Sequence, residues 1–284
     1  MTAPLTDRED LTINGVSLDT LCYGLTDVSK IFTVPGRRGT DVVVPGRHGA
    51  IRTKNKRFNP GQYVLPLWIA GSNPDGTVPV GSTDGREFYK RRDELLNIFY
   101  ATDVLVAFTR PDGHTVQAHC EVDDVIDFTR RFNEPLAKIS VSLTNTAAFW
   151  ADESPVTQTI TGQSGVTEEL TVFAGATAPI TDLTITFPGL VHNPMLEHGH
   201  RTFEFGATVA ADQQLVINTG TWTPSPGTGS AWSPDLRQAV FAPGPEWFAL
   251  DPATSPFAVT FRHTTGGGAE ASATITGRRT YLSA

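Results

Sequence analysis

Glu197-His198-Gly199-His200 is the pattern in the sequence most suggestive of metal binding. On a β-strand, residues two apart point to the same side, so His198 and His200 would present two imidazoles to one ion. No evident third ligand accompanies them. A solvated turn is therefore the favoured interpretation, and we predict no metal and no other cofactor.

Four carboxylates cluster in the middle of the chain, at Glu121, Asp123, Asp124 and Asp127. Such a cluster can hold a cation or supply paired carboxylates for acid–base chemistry. Its spacing follows no calcium loop, and Arg130 and Arg131 come directly after it, so we interpret it as a charged loop. The chain also has no G-x-S-x-G, Walker, H-E-x-x-H or EF-hand pattern. We therefore predict no catalytic residues and no enzyme.

A strongly basic strip runs from Lys30 to Arg57, with a net charge of +7 over 28 residues. Its cations are Lys30, Arg37, Arg38, Arg47, Arg52, Lys54, Lys56 and Arg57. Three roles compete: phosphate contacts with nucleic acid, protection of a sheet edge, and docking onto an acidic protein surface through arginine–carboxylate pairs. No recognition helix accompanies the strip, which argues against specific nucleic-acid binding. We favour docking, including on a neighbouring copy of the chain.

Trp222 and Trp232 lie in a stretch rich in Pro, Gly and Ser, Thr221 to Pro234, which predicts a long surface loop. Exposed aromatic rings can stack on the apolar faces of sugars. In such loops they more often cover their own domain or contact a partner. Carbohydrate recognition by these two residues is therefore our alternative hypothesis. A cell-wall enzyme is a third, resting only on scattered carboxylates and histidines.

Length and charge predict two domains. At 284 residues the chain exceeds the usual size of a single core. Residues 1–150 hold 17 Lys/Arg and 18 Asp/Glu, whereas residues 151–284 hold 5 and 12, which places the boundary near residue 150. Without an apolar run of roughly 18 residues or a signal peptide, we expect a soluble protein with no membrane span. Cys22 and Cys120 are predicted to be buried free thiols.

The first half has the pattern of an α+β domain, mostly β. Asn14-Gly15 between alternating apolar residues predicts a hairpin. Pro66 within Tyr63–Ile69 predicts an edge strand or a bulge, and strict alternation over Ala137–Thr144 predicts a half-buried strand. A helix is predicted from about Gly85 to Ala101. Its capping candidates are Ser82, Thr83 and Asp84, and its buried face would carry Phe88, Leu95, Leu96 and Phe99.

The second half has no helical period. Short alternating runs separated by turn signals predict a β-sandwich from about Ala151 onward. The run Thr264-Thr265-Gly266-Gly267-Gly268 is predicted to be a flexible hairpin turn, because no helix follows that would make it a phosphate site.

Several motifs, taken in order, resemble those of one known family. The first half has the hairpin around Asn14-Gly15, then Pro45-Gly46-Arg47-His48-Gly49, then a helix before a final strand pair. The second half has four more, at Gly175–Pro179, Phe187–Pro194, Ala271–Ile275 and Arg279–Leu282. This order resembles the distal tail protein family of long-tailed phages with non-contractile tails. His48 departs from the Gly-Arg-Asp-Gly more usual in that family.

The resemblance implies a mainly β structural virion protein. Residues 1–150 would be the ring-forming domain that adapts to the tail tube, a β-sandwich or split barrel with one helix. Residues 151–284 would be a peripheral galectin-like β-sandwich. The protein would be made in the host cytoplasm and assemble as a hexameric ring at the distal end of a siphophage tail. Its implied partners are the tail tube protein, the tail-associated hub protein, the tape measure protein and receptor-binding proteins. The basic strip would then lie at subunit or tube contacts.

Overall fold

A computed structural model describes residues 9–28, 31–39, 42–43, 50–51, 57–123, 126–221, 223–226, 240–241, 248–254, 256–264 and 271–284. The chain forms two compact units. Unit 1 comprises Met1–Ala151 and Leu282–Ala284, and unit 2 comprises Asp152–Tyr281. In these described ranges, no helix has the length and apolar character needed to cross a membrane.

Unit 1 contains thirteen strands and one helix in its described residues. They are β1 (Asp10–Ile13), β2 (Val16–Ser17), β3 (Tyr23–Leu25), β4 (Arg37–Arg38), β5 (Val42–Val43), β6 (Ala50–Ile51), β7 (Arg57–Phe58), β8 (Gly61–Ala70), β9 (Val104–Thr109), β10 (Thr115–Val122), β11 (Asp127–Arg130), β12 (Leu136–Asn145) and β13 (Trp150–Asp152). The helix, α1, spans Asp84–Phe99.

The main sheet of unit 1 is antiparallel, in the order β2-β1-β9-β10-β12-β8-β3, with β11 also beside β12. The predicted first hairpin is confirmed, since Asn14 and Gly15 both have positive φ and join β1 to β2. The alternation over Ala137–Thr144 is confirmed as well. β12 pairs with β8 along its full length and turns its apolar residues into the core.

Helix α1 packs against β8 and covers part of the core. Of the capping candidates, Thr83 is the N-cap, because its side chain accepts a hydrogen bond from the Arg86 amide at 3.3 Å. Phe88, Leu95 and Phe99 are buried as predicted. Gly71, just beyond β8, permits the close approach of the helix. A Cβ atom there would lie 1.9 Å from the carbonyl oxygen of Asp84.

The prediction that Pro66 marks an edge strand needs correction. β8 has partners on both sides, β12 along its length and β3 opposite Leu67–Ile69. Pro66 lies where β3 ends, and its carbonyl oxygen accepts the last hydrogen bond, from the Thr26 amide at 2.9 Å. The N–H that proline lacks would point to the same side as this carbonyl group, beyond the end of β3, so the β8–β12 ladder loses no hydrogen bond.

The described strands of unit 2 are β14 (Val156–Gly162), β15 (Val166–Glu169), β16 (Leu183–Pro188), β17 (Val191–His198), β18 (Arg201–Phe205), β19 (Thr208–Val209), β20 (Gln214–Asn218), β21 (Thr223–Pro226), β22 (Val240–Phe241), β23 (Ala258–Thr264), β24 (Ala271–Gly277) and β25 (Thr280–Tyr281). Single 3-10 turns occur at Thr171–Phe173 and Pro252–Thr254.

Two sheets form the predicted β-sandwich of unit 2. One has the order β14-β24-β16-β20-β21, and the other has the order β15-β23-β17-β18-β22 with β19 beside β17. Phe187 of the first sheet lies against Phe203 and Phe261 of the second, at ring-centroid distances of 6.1 and 5.9 Å. These rings are fully buried, so the core lies between the sheets.

Two loop predictions in unit 2 are corrected. β23 and β24, which flank Thr264–Gly268, belong to different sheets, so this segment connects the sheets and does not close a hairpin; residues 265–268 themselves lie outside the described ranges. Within the predicted loop from Thr221 to Pro234, Thr223–Pro226 form β21, paired with β20. Among the described strands β21 is at the edge of its sheet, a position that tolerates its two prolines.

Candidate assembly interface

The basic strip contains two nested antiparallel ladders. β4 pairs with β7, and β5 pairs with β6, both antiparallel. We call the β4–β7 ladder, Arg37–Arg38 with Arg57–Phe58, the basic ladder. Arg37, Arg38 and Arg57 come together on the β4–β7 ladder and are all exposed. The other predicted interface cations lie outside the described residues, namely Lys30, Arg47, Arg52, Lys54 and Lys56.

Aromatic contacts anchor the basic ladder to the rest of unit 1. The Arg37 guanidinium lies 4.9 Å from the centre of the Phe58 ring, a cation–π distance. Phe58 in turn packs edge-on against Phe149 at 5.0 Å. On the same ladder Arg38 stands directly opposite Arg57. Like charges at opposed positions destabilise a strand pair, so an anionic partner would stabilise this one.

Most of the large apolar side chains that are exposed to solvent belong to unit 1. Among the described residues twelve such side chains are exposed, and eleven of them belong to unit 1. They are Leu21, Phe32, Val34, Val64, Val78, Val80, Tyr89, Tyr100, Phe128, Phe132 and Leu136. Unit 2 contributes Leu190. Over the described residues, unit 1 therefore exposes more large apolar side chains that a partner protein could bury.

An apolar groove of about 680 Å³ opens at the C-terminal end of α1. We call it the α1 groove; it is lined by Leu96, Phe99, Tyr100, Ala101, Thr102, Glu121, Val122 and Ile126. Tyr100 lies at the edge of the groove and is 90% exposed. Leu96, predicted to be buried, is only half-buried because it faces this groove.

Carboxylates stand beside the α1 groove. Asp103, Glu121 and Asp123 are all exposed. Asp103 directly precedes β9, and Glu121 lies on β10, which pairs with β9 up to Cys120 and Val104. Asp103 also contacts the His119 ring at 2.8 Å.

The predicted acidic loop is only partly a loop. Asp123 follows β10, but Asp127 begins β11, which pairs with β12, so the segment returns to the sheet earlier than expected. Asp124 lies outside the described residues. Arg130 turns inward, where its Nε donates to the Glu134 carbonyl oxygen at 2.6 Å and its guanidinium stacks over Phe88 at 4.2 Å.

The His198/His200 pair does not form a two-imidazole site. His198 ends β17 and is 2% exposed, so it is not part of a solvated turn. Its Nδ1 lies 2.9 Å from the Ala258 carbonyl oxygen, to which it donates, and its Nε2 accepts from the Asp251 amide at 3.1 Å. His200 lies beyond the tight turn at Gly199. In the described part of the chain, no group of three or more His, Cys, Asp or Glu side chains is placed to hold a metal ion.

Both cysteines are buried free thiols, as predicted. Burial, together with the nearby negative charge of Asp103, raises the pKa of Cys120 to about 12. A buried thiol of that kind acts as a small apolar side chain.

No protein-family model and no curated protein match this sequence. The fold, however, is similar to that of a known structure. The chain is similar to the Dit protein of phage SPP1, described as a paradigm of the hub adsorption apparatus in phages that infect Gram-positive bacteria. The TM-score is 0.64 at 11% identity, covering 95% of this chain and 99% of that chain. The sequence-based resemblance to distal tail proteins is thereby confirmed for the fold.

Two structures of the phage p2 baseplate in its activated conformation, with Sr and with Ca, also align with the chain. Their TM-scores are 0.40 and 0.41, at 9% and 10% identity. The alignments cover 94% and 96% of this chain and 98% of each of those chains.

Sequence reasoning missed the α1 groove. Tyr100 and Ala101 follow the last helical turn. At that position the sequence pattern does not distinguish an apolar residue that lines a groove from one that ends the buried face of the helix. The carboxylates beside the groove come from two places in the chain, Asp103 before β9 and Glu121 with Asp123 at the end of β10. The antiparallel pairing of β9 with β10 brings these two places together.

Proposed function

We propose that this chain is a structural virion protein that forms a ring at the distal end of a phage tail. The ring joins the tail tube to the tail-tip hub and adhesion device, and the protein has no enzymatic role. The observation that carries the proposal is the similarity to SPP1 Dit over nearly the whole of both chains. The ring is hexameric, as the resemblance to distal tail proteins implies.

The surface of unit 1 supports its role as the ring-forming part. Single exposed apolar residues are normal on any protein, but their concentration in one of two units is not. Unit 1 also carries the basic ladder, on which Arg38 is paired with Arg57. We place the subunit and tail-tube contacts of the ring on this unit.

Unit 2 is the peripheral part in this proposal. Its described surface has one large exposed apolar side chain, which gives it less to bury in an assembly. At the tail tip the chain would have three further kinds of partner, namely the hub protein, the tape measure protein and the receptor-binding proteins.

The state of assembly of the purified full chain tests the proposal. We expect hexamers by light scattering after size exclusion, and rings with a central opening in electron micrographs. Antibodies raised against the chain should label only the tail tip of intact virions. A chain that stays monomeric at high micromolar concentration, together with unlabelled tail tips, would contradict the proposal.

A second candidate function, carbohydrate binding by unit 2, is favoured by one observation. The outer face of the β14-β24-β16-β20-β21 sheet is uncharged where its side chains are described, although residues 151–284 as a whole are acidic. It carries rows of hydroxyl groups, with Thr157 bonded to Thr276 and Thr159 bonded to Thr274, both at 2.9 Å. Such a face suits a neutral, hydroxyl-rich ligand.

A glycan array probed with the full chain tests this candidate. Trp222 directly precedes the edge strand β21 of that sheet, although Trp222 and Trp232 themselves lie outside the described residues. We expect binding that is lost in Trp222→Ala or Trp232→Ala. No binding at millimolar sugar would eliminate it and leave the ring proposal intact.

A further inference from the structure

We propose that Asn14 is a site of spontaneous deamidation, and that the folded chain restrains this reaction through the contacts of the Asn14 side chain. Asn14 is the only asparagine in the sequence that is followed by a glycine. The inference concerns a covalent modification, so it does not depend on the proposed function. The modification weakens the corner of unit 1 where the first hairpin meets helix α1.

The reaction needs only the chain and water. The backbone nitrogen of Gly15 attacks Cγ of Asn14, and a five-membered succinimide ring forms as the Cγ–Nδ2 bond breaks. Nδ2 leaves as ammonia with the proton of the Gly15 amide. Water then opens the ring at one of its two carbonyl carbons and leaves an aspartyl or an isoaspartyl residue. Gly15 favours the attack because it has no Cβ, and open space surrounds that position.

The folded chain fixes the Asn14 side chain through both polar atoms of its amide. Nδ2 donates to the Ile98 carbonyl oxygen at 2.9 Å, and Oδ1 accepts from the Leu105 amide at 2.9 Å. We call these contacts of Asn14 with Ile98 and Leu105 the Asn14 joint. The attack requires Cγ to swing towards the Gly15 nitrogen, which both bonds oppose. The reaction therefore waits for a local opening of the joint.

The Asn14 joint also caps helix α1. Ile98 lies in the last turn of α1, where backbone carbonyl groups have no partner within the helix. In the described chain neither Tyr100 nor Ala101 has the positive φ of a left-handed helix cap. The last turn, which is described in full, contains no basic side chain either. Asn14 Nδ2 therefore supplies a donor that the end of the helix lacks.

Deamidation replaces this donor with a negative charge. A carboxylate has no N–H group for the Ile98 carbonyl oxygen, and its charge lies at the negative end of the α1 dipole. The isoaspartyl product adds a backbone atom to a two-residue turn whose geometry sets the register of β1 and β2. Ile13 and Val104, the residues before Asn14 and Leu105, are fully buried. A chain that deamidates while the joint is open is therefore hindered from closing again.

Peptide mapping of the full chain by mass spectrometry tests the site. The chain is incubated at pH 8 in buffer and, in parallel, in urea that unfolds it. Asn14 should deamidate at least about tenfold more slowly in buffer, because the reaction waits for the joint to open. Asn133 is the internal control, since it is exposed and has positive φ like Asn14 but is followed by Glu134. In urea Asn14 should react faster than Asn133.

The substitution Asn14→Asp makes the aspartyl product directly and tests its consequence. The urea midpoint of this variant should be lower than that of wild type. Asn133→Asp is the matched control, because it makes the same change at an exposed turn position after β11 and away from the end of α1. Its midpoint should stay close to that of wild type.

Three results would overturn the proposal. Equal rates at Asn14 in buffer and in urea would show that the joint gives no protection. Equal rates at Asn14 and Asn133 in urea would remove the special reactivity assigned to the Asn14–Gly15 bond. An Asn14→Asp chain as stable as wild type would show that the modification does not weaken unit 1. The formation of rings is measured separately and is not decided by any of these results.

Discussion

Unit 1 and unit 2 are both built from antiparallel sheets, yet they differ in the apolar side chains that they expose and in their net charge. Unit 1 leaves aromatic and aliphatic side chains exposed, and residues 1–150 are nearly neutral in charge. Unit 2 encloses the large aromatic rings of its described residues between two sheets, and residues 151–284 are acidic overall. In this comparison, unit 1 has surface left to bury against partners, whereas the core of unit 2 is self-sufficient.

The largest expected effect on stability is that of a substitution in the core of unit 2. Phe187→Ala removes the ring that lies against Phe203 and Phe261, and should lower the free energy of unfolding of unit 2 by about 3–5 kcal/mol. Scanning calorimetry should show the loss. If assembly belongs to unit 1, the variant still forms rings at low temperature. Loss of rings while unit 2 remains folded would place assembly contacts on unit 2 instead.

A smaller effect is expected where the two ends of unit 2 meet. Asp152 is buried and accepts hydrogen bonds from Arg279 Nε at 2.5 Å and from the Tyr281 hydroxyl at 2.9 Å. The bond to Asp152 also raises the pKa of Arg279. Asp152→Ala leaves these two donors without their carboxylate and should cost about 2–3 kcal/mol of unfolding free energy, measured by urea denaturation.

Glu153→Ala is the matched control for that change. Glu153 is the next residue and is exposed, so its loss should leave stability within about 0.5 kcal/mol of wild type. Equal effects of the two substitutions would show that the buried cluster contributes nothing specific. An intact ring in Asp152→Ala would again separate the stability of unit 2 from assembly by unit 1.

The local elements were predictable from the sequence because their signals are local. Asn14-Gly15 dictates a turn through positive φ, and the hydroxyl of Thr83 together with the apolar face of α1 dictates a helix. The regular alternation in β12 likewise follows from one buried and one wet face. These elements form where the patterns place them.

What the sequence does not specify is pairing between distant segments. The segment after β23 has the composition of a hairpin turn, but β23 and β24 pair with different strands in different sheets. His198 has the composition of an exposed turn, yet it is buried because Ala258 and Asp251 supply partners from some 50 to 60 residues away. The α1 groove depends on the same kind of long-range register.

The smallest expected effect is a loss of stability at alkaline pH. It distinguishes the two units, since the groups responsible lie in unit 1. Burial raises the pKa of Cys120 to about 12, and it raises the pKa of Tyr63 to about 12 as well. Both groups hold their protons more tightly in the folded state. Their contribution to stability is complete below the unfolded pKa, roughly 8.5 for Cys and 10 for Tyr, and is lost as pH rises toward 12.

For Cys120 the loss should amount to between about 1 and 2 kcal/mol by pH 10. Cys120→Ala removes the thiol, so its urea midpoint should fall less between pH 7 and pH 10 than that of wild type. Cys22→Ala serves as a comparison for the loss of a buried thiol in the same unit. A Cys120→Ala chain that loses as much stability as wild type over this range would show that the thiol ionises as freely in folded unit 1 as in the unfolded chain.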